Sequence, residues 1–299
     1  MGIKQRRYNF EKDFNHVGDF LVENYQTDNR DGNFFFPTWS YMHYHPYLDR
    51  KILDNAAVWE DNGKIFGVVH QESRPEEAFF ELHPDYPRLK QPMLDYVVKH
   101  FHGKSPDGKE NIRAFINDFD KEFEELAIKR GFQLISEDRL HRPMSQLTLP
   151  QPSPKLPDGF RLQSLADEDD LVKLDRCIYR GFNHGPEPPE TDFAGRKLMQ
   201  SAPGFRKELN IVVVAPDGDY VAYAGLWFEE KNKFAYVEPV CTDPDYRLRG
   251  LAKAAILEGI RRCGKLGAKV AYVGSTLPIY LAMGFKKLHT CRCWVKYLD

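Results

Sequence analysis

The sequence of 299 residues predicts a mixed α/β fold, an α+β mixed sheet, that occurs twice in tandem. Three observations support this prediction. The second half reads as the element order βααβββαβαββ, which is typical of a mixed sheet with helices on both faces. A proline-rich stretch divides the chain into halves of similar length, and short segments of the first half recur in the second. Hydrophobic residues make up 42% of the chain, enough to form a core in each half.

The boundary between the halves lies at residues 149–159, which include four prolines. Proline fixes φ and donates no backbone hydrogen bond, so neither a helix nor a central strand is expected there. We therefore expect a first domain over residues 1–149, a linker over 150–158 and a second domain over 159–299.

The second half is expected to begin with a strand, two helices and a β-hairpin. Leu171, Leu174 and Ile178 recur at helical spacing, and acidic residues crowd the first turn of the predicted helix, where the helix dipole favours negative charge. A β-branched run followed by a Pro-Asp-Gly turn indicates the hairpin. The predicted elements are the strand 160–165, the helices 167–182 and 188–199, and the strands 210–215 and 220–228.

The remainder of the second half completes the sheet. Ala252, Ile256 and Ile260 fall on one helix face, and glycines at 264 and 267 end that helix. The predicted elements are the strand 234–241, the helix 251–265, the strand 269–273, the helix 278–283 and two closing strands, 285–288 and 291–297.

Two short segments indicate that the first half repeats this plan. Residues 83–86 parallel residues 243–246, each after a strand and before a helix, and residues 127–132 parallel residues 280–285. The separation between the two segments is similar in each half. Because the period is far too long for a solenoid, the repeat predicts two copies of one domain.

The segment 240–253 carries the clearest chemical signal. A strand ends there, a tight loop follows and a helix begins, and the loop reads Arg247-x-x-Gly250-x-Ala252. Loop N–H groups and a helix N-terminus can converge on a phosphate in such a turn. On the loop alone, an ordinary βα turn that needs glycine for its dihedral angles is an equal alternative.

This loop resembles motif A of the GNAT superfamily of N-acetyltransferases, whose pattern is Q/R-x-x-G-x-G/A. The segment Tyr280-x-x-x-Gly284-Phe285 resembles the Y-x-x-x-G-F element of the same family. The resemblance covers about residues 158–297 and implies two tandem GNAT-like acyl-CoA N-acyltransferase domains. It implies an enzyme that transfers acetyl from acetyl-CoA, as co-substrate, directly to a primary amine of a small molecule or peptide.

The resemblance also implies the coenzyme site. The backbone around Gly250 would hold the pyrophosphate, with basic side chains adding positive charge, and the end of the preceding strand would hold the pantetheine arm like an added strand. Ser275 stands in a shortened segment where many family members carry an asparagine that reaches the pantetheine. The implied coenzyme-binding residues are Val240, Cys241, Thr242, Arg247, Leu248, Arg249, Gly250, Leu251, Ala252, Lys253 and Ser275.

Two residues are implied for the chemistry. Tyr280 resembles the family's general acid, which protonates the departing thiolate, although a tyrosine packed on the sheet is the alternative. Glu238 is the candidate base, and a solvated glutamate with a water relay is an equal alternative. A period of two along the strand would put Glu238 on the same face as Val240. A backbone N–H near residues 240–242 would stabilise the oxyanion.

The first half lacks these parts, so we expect a degenerate GNAT-like domain there. Aligning the repeats puts Pro87, Lys90 and Pro92 at the positions of Arg247, Gly250 and Ala252. Ala127 stands at the position of Tyr280. Bulk and proline in the loop would remove the row of N–H groups.

Composition bears on partners and location. The net charge of −2 makes nucleic acid an unexpected partner, and no apolar run is long enough for a membrane helix. The five cysteines are scattered without a CxxC pair, so no metal is expected and a cytoplasmic location is favoured. An oligomer is possible. A non-catalytic acyl-CoA-binding sensor or interaction module remains the alternative function.

Overall fold

The structure is a computed structural model that describes residues 2–105 and 108–298. The chain forms two compact units. Unit 1 comprises residues 2–43, 47–144 and 288–298, and unit 2 comprises residues 44–46 and 145–287.

Unit 1 has one mixed sheet. Its strands lie in the order β1-β2-β3-β4-β6, followed by residues 291–297 of the last strand, β14. All neighbours are antiparallel except β4 and β6, which are parallel and pair only at two positions, Glu77 with Arg113 and Ala78 with Ala114. Its elements are β1 (Lys4–Arg7), α1 (Phe10–Asn24), α2 (Phe36–Tyr44), β2 (Ala57–Asp61), β3 (Lys64–His70), β4 (Glu77–Leu82), α3 (Lys90–His100), β5 (Gly103–Lys104), β6 (Glu110–Asn117), α4 (Lys121–Lys129), β7 (Gln133–Leu134) and the start of β8 (Arg142–Thr148).

Unit 2 repeats the same sheet order. Its strands lie in the order β9-β10-β11-β12-β13, and residues 145–148 of β8 then pair with β13. Again a single pair, β12 and β13, is parallel. Its elements are β9 (Arg161–Ser164), α5 (Leu171–Gly181), α6 (Ala194–Gln200), β10 (Ile211–Val214), β11 (Tyr220–Glu229), β12 (Phe234–Thr242), α7 (Leu251–Lys265), β13 (Val270–Val273), α8 (Pro278–Met283) and the start of β14 (Lys286–Tyr297).

Helices cover both faces of the sheet in unit 2. Along β10, Ile211 and Val213 join the core that includes residues of α7, whereas Val212 and Val214 join a second cluster with residues of α5. This alternation is the period of two expected for a strand buried on both faces. The predicted mixed α/β fold class is therefore confirmed. No helix of the described residues is long and apolar enough to span a membrane.

Two predicted helices of unit 2 have the bounds that the structure shows, and the other predicted elements differ at one end or both; α5, for example, begins at Leu171 and not at residue 167. The helices α7 and α8 begin and end as predicted. The helix predicted over 188–199 is shorter, because Phe193 has a left-handed φ of 61° and α6 begins only after it. The two predicted closing strands are one continuous strand, β14, since residues 288–291 include no turn-forming Gly, Pro, Asn or Asp.

The compact units also differ from the predicted domain boundaries. The end of the chain was expected in the second domain, but residues 291–297 pair with residues 111–117 of β6, so they belong to unit 1. Residues 145–148 were expected in the first domain and pair with β13 in unit 2. Strand pairing is non-local, and the pattern within a strand does not reveal which sheet it joins. The expected linker forms neither helix nor strand over its described residues 150–158.

Candidate functional site

The end of β12 is open on the side that faces β13. β12 pairs with β13 at only three positions, from Phe234 with Val270 to Tyr236 with Tyr272. Among the described residues, no strand pairs with residues 237–242 on that side. The backbone groups that point away from β11 there can bind an extended ligand as an added strand would.

A β-bulge shapes the same stretch. Val237 pairs with Leu226 and Val240 with Ala224, so Glu238 and Pro239 both lie opposite Gly225. A Cβ atom on Gly225 would lie 2.6 Å from the Glu238 carbonyl oxygen, which explains the glycine. Trp227 Nε1 donates to that oxygen at 2.9 Å. The bulge breaks the alternation used to place Glu238 and Val240 on one face, and Val237 and Val240 instead share the same core.

The loop before α7 has an unusual backbone. Leu248 and Gly250 both have left-handed φ angles, 62° and 78°, and the side chain of Leu248 is fully exposed. No side chain caps the N-terminus of α7 in the described part of the chain. The first N–H groups of a helix have no partner within the helix, and a left-handed residue beside them creates a concave row of donors. The cradle of residues 248–253 therefore presents backbone N–H groups of the kind that can bind an anion.

The basic side chains of this loop do not all face the cradle. Arg247 donates to the carbonyl oxygens of Thr242 and Gly181, at 3.2 and 3.0 Å, and to Asn183 Oδ1 at 2.8 Å. These contacts hold the loop against the end of α5. Arg249 lies over the Tyr246 ring and donates to a backbone carbonyl, and Lys253 is exposed.

A second arginine, Arg180, which the sequence analysis did not identify, bonds two acidic residues of the loop. Arg180 donates to Asp243 at 2.5 Å and to Asp245 at 2.6 Å. Burial of Asp243 disfavours its charge, but the bonds from Arg180 and from the Asp245 N–H outweigh that effect and lower its pKa. The signal available in the sequence was the Asp243-Pro244-Asp245 run, which we used only as a repeat marker.

The acid candidate is buried close to the base candidate. Tyr280 lies on α8 and packs its ring edge-on against Phe285 at 5.7 Å between ring centroids. Burial, and to a smaller extent the charge of Glu238, raises the pKa of Tyr280 to about 12. The phenol is therefore protonated at neutral pH, as an acid must be. Ser275 accepts from the Leu277 N–H at 3.2 Å and so also has a local role at the start of α8.

The cysteine beside the open edge has its thiol buried away from it. Cys241 Sγ lies 3.7 Å from the Cys177 carbonyl oxygen, in the cluster with α5 residues. The hydrogen bond with Cys241, together with burial, raises the pKa of the Cys177 thiol. Neither thiol is placed to act as a nucleophile. The described residues contain no group of three or more His, Cys, Asp or Glu side chains arranged to hold a metal.

The corresponding place in unit 1 is built differently. Leu89, just before α3, has right-handed φ and ψ angles of −78° and −17°. Lys90 Nζ lies 2.8 Å from Asp120 and 2.9 Å from Glu122 and thus fills the start of α3 with an ion pair network. The Asn33 side chain bonds both backbone groups of Leu82 at the open edge of β4, at 3.1 and 2.8 Å.

Comparisons with known proteins agree with this architecture. Residues 169–285 match the family model described as the acetyltransferase (GNAT) family, and no curated protein matches the chain. A GCN5-related N-acetyltransferase from Sphaerobacter thermophilus is 16% identical, with a TM-score of 0.63, over 99% of this chain and 95% of that one. A tandem GNAT protein from the clavulanic acid biosynthesis pathway is 12% identical, with a TM-score of 0.63, over 99% and 98%. These likenesses show that the whole chain has the fold of a tandem GNAT protein.

Proposed function

Because residues 169–285 form a domain of the GNAT acetyltransferase family, we propose that this chain is an acetyl-CoA-dependent N-acetyltransferase. It transfers acetyl directly to a primary amine of a small molecule or peptide. The observation that carries the proposal is the buried, protonated phenol of Tyr280 in a unit that also offers an open strand edge and an uncapped helix start. The acceptor class and a cytoplasmic location are part of the same proposal and rest on the sequence.

The residues of unit 2 fit a coenzyme A thioester. Gly250 supports this fit in two ways. Glycine readily adopts the left-handed backbone angle found there, and it lacks the Cβ atom that would otherwise extend into the open space beside the backbone. We assign the diphosphate to the N–H groups of residues 248–253, with charge from Arg249 and Lys253. We assign the pantetheine arm to the backbone of residues 240–242, with Ser275 nearby. When bound, acetyl-CoA supplies the activated acyl group.

The side chains then divide the proton transfers between them. Glu238, directly or through water, accepts the proton that the amine must lose as its nitrogen bonds to the acyl carbon. Tyr280 donates a proton to the sulfur as the carbon–sulfur bond breaks. One proton leaves and one enters, so the products are an amide and a free thiol. A backbone N–H near Val240 stabilises the negative oxygen between these events.

A non-catalytic acyl-CoA-binding module is the second candidate. The cradle around Gly250 and the open edge of β12 suit both functions. Binding alone requires neither a buried phenol nor a carboxylate near it, which favours catalysis.

The Tyr280→Phe variant tests the proposal. We expect turnover to fall about 100-fold, because the acid is lost, while acetyl-CoA affinity stays within about twofold. Turnover is measured as free thiol release over a panel of primary amines, and affinity by calorimetry.

Tyr246→Phe is the matched control, since it removes a phenol beside the loop and not beside the open edge. It should keep wild-type turnover. A Tyr280→Phe variant that keeps full turnover would show that the acid assignment is wrong. A wild-type protein that binds acetyl-CoA without acetylating any amine would favour the binding module.

A further inference from the structure

Unit 1 contains a cavity of about 300 Å³ at the gap between β4 and β6. Phe80, Met93 and Phe123 lie on its lining, together with Asp31, Asn117 and Phe119. The gap opens because β4 and β6 pair at only two positions before they separate. A cavity of this volume is at the lower end of the range for small-molecule sites.

The backbone around this cavity is already bonded. Asn33 satisfies both backbone groups of Leu82, and Asn117 Nδ2 donates to the Gly32 carbonyl at 3.0 Å. No added strand is therefore needed on this edge of β4. The cavity is not a second copy of the coenzyme site, and its occupant must be recognised by side chains.

Two side chains of the lining, Asp31 and Asn117, have unused capacity to accept hydrogen bonds. Asp31 is half-buried and accepts from the backbone N–H groups of Gln26 and Asn33, at 3.0 and 3.3 Å. A carboxylate has about four acceptor positions, so capacity remains. Asn117 Oδ1 is buried and has no hydrogen-bond partner.

The basic side chains that line the cavity form ion pairs with carboxylates other than that of Asp31. Lys90 bonds two carboxylates, those of Asp120 and Glu122, so its positive charge is more than balanced. Arg30 is 73% exposed and lies 3.4 Å from Asp28. The lining also includes four phenylalanines, at positions 80, 115, 119 and 123, and the face of such a ring attracts a cation.

We propose that this cavity binds a small organic ammonium with an apolar body, held by Asp31 and Asn117 Oδ1 among the phenylalanine rings. The site is separate from the acetyl transfer proposed for unit 2 and does not depend on it. An ammonium there would donate to the vacant acceptor and compensate the charge of the half-buried carboxylate, whereas a neutral alcohol can donate a hydrogen bond but supplies no charge.

The ionisation of Asp31 agrees with this assignment. Burial, with a smaller contribution from Glu81, raises the pKa of Asp31 to about 6. Glu81 is itself bonded to His70, and the other charged groups near the cavity include Lys90 with its partners Asp120 and Glu122, and Arg30 with Asp28. Ammonium binding should therefore strengthen from pH 5 to pH 7, as Asp31 loses its proton.

The test titrates the full chain, without acetyl-CoA, with 2-phenylethylammonium and follows the heat of binding. The neutral probe is 2-phenylethanol and the anionic probe is 3-phenylpropionate. We expect the ammonium to bind at least tenfold more tightly than either, and Asp31→Asn to weaken it at least tenfold. Asp28→Asn, which removes an exposed carboxylate nearby, should leave the affinity unchanged.

Asp31→Glu keeps the charge and should restore part of the affinity, which separates loss of charge from loss of folding. An alcohol that binds as tightly as the ammonium would overturn the proposal. So would unchanged ammonium affinity in Asp31→Asn, or no binding of the ammonium at millimolar concentration. If no amine is acetylated but Asp31-dependent binding persists, the function proposed for unit 2 is contradicted and the proposed ammonium site is not.

Discussion

In both units the sheet opens where its two parallel strands separate. The units differ in whether the chain itself bonds the backbone groups at that opening. In unit 2 the parallel pair of β12 and β13 separates after three positions, and the edge of β12 beyond them, where we propose that the coenzyme binds, has no strand partner among the described residues. In unit 1 the pair of β4 and β6 separates after two positions, and Asn33 bonds the backbone of Leu82 in place of a ligand. Buried backbone groups must find partners, so the same gap becomes a site only where the chain does not supply them.

The helices that follow these strands differ in the same sense. α7 begins after a left-handed glycine, with no side chain on its first N–H groups. α3 begins after a right-handed leucine, with prolines at positions 87 and 92 and with Lys90 tied to two carboxylates. One helix start is available to an anion, and the other is filled by the chain. A repeat can therefore keep its fold while losing a ligand, because the sheet order does not depend on the loop.

The largest effect should come from removing the glycine that distinguishes the two helix starts. Gly250→Val places a β-branched residue at a φ of 78°, where it is strained. Either the loop keeps this angle at a cost in stability, or it abandons the angle and turns its N–H groups away. We expect acetyl-CoA affinity, measured by calorimetry, to fall about 100-fold, since each charged hydrogen bond lost costs about 1.5–3 kcal/mol.

Gly218→Val is the matched control for this change. Gly218 also has a left-handed φ, 94°, and no atom within 4 Å of a Cβ, but it lies in the turn between β10 and β11. It should lower the stability by a similar amount, about 1–2 kcal/mol, without weakening acetyl-CoA. Equal affinities in the two variants would contradict the assignment of the cradle.

The next largest effect is expected from comparing lysine substitutions at the two helix starts, Lys90→Met and Lys253→Met. Lys90→Met leaves the partly buried Asp120 and the exposed Glu122 without their cation, so the free energy of unfolding of unit 1 should fall by about 1–2 kcal/mol. Lys253→Met removes an exposed charge at the other helix start, so stability should be unchanged and acetyl-CoA affinity should fall about threefold. For both variants, urea unfolding gives the free energy of unfolding and calorimetry gives the acetyl-CoA affinity.

Three of the four tryptophans, Trp39, Trp59 and Trp294, lie in unit 1, so fluorescence reports chiefly on its unfolding. If Lys90→Met weakened acetyl-CoA as much as Lys253→Met did, the two helix starts would not differ in function. That result would remove the contrast between the units.

Local signals carried the successful sequence predictions. The bounds of α7 and α8 follow from glycines and prolines at their ends, and the mixed sheet follows from the element order. The start of α6, after the left-handed Phe193, and the continuity of β14 are local features that the pattern missed, but most of the other failures involve distant partners. Contacts between residues far apart in the chain determine three features that the sequence analysis missed. These are the unit to which residues 145–148 and 288–298 belong, the bulge opposite Gly225 and the Arg180–Asp243 pair. A pattern of hydrophobicity does not specify such contacts.

Site prediction had the same limit. The motif around Gly250 was legible because the backbone angle and the helix start are local. Asn33 gave no signal, because its role depends on Leu82, 49 residues away. The side chain of Arg247 was expected at the phosphate, and its contacts with Thr242, Gly181 and Asn183 emerge only from the folded loop.

The smallest effect is a difference in the pH dependence of the two units. The raised pKa of Asp31, about 6, means that its charge destabilises unit 1 above that pH and that the penalty disappears as the pH falls toward 4. The lowered pKa of Asp243 has the opposite sign, because its charge stabilises unit 2 above pH 4 and that contribution is lost only at more acidic pH. In urea unfolding followed by fluorescence, Asp31→Asn should be more stable than wild type by about 1 kcal/mol at pH 7, discounting the shift for partial exposure. The two proteins should converge only below the unfolded pKa of the carboxyl, at about pH 3.5, whereas a gap that persisted there would mean that Asp31 acts through its hydrogen bonds and not through its charge.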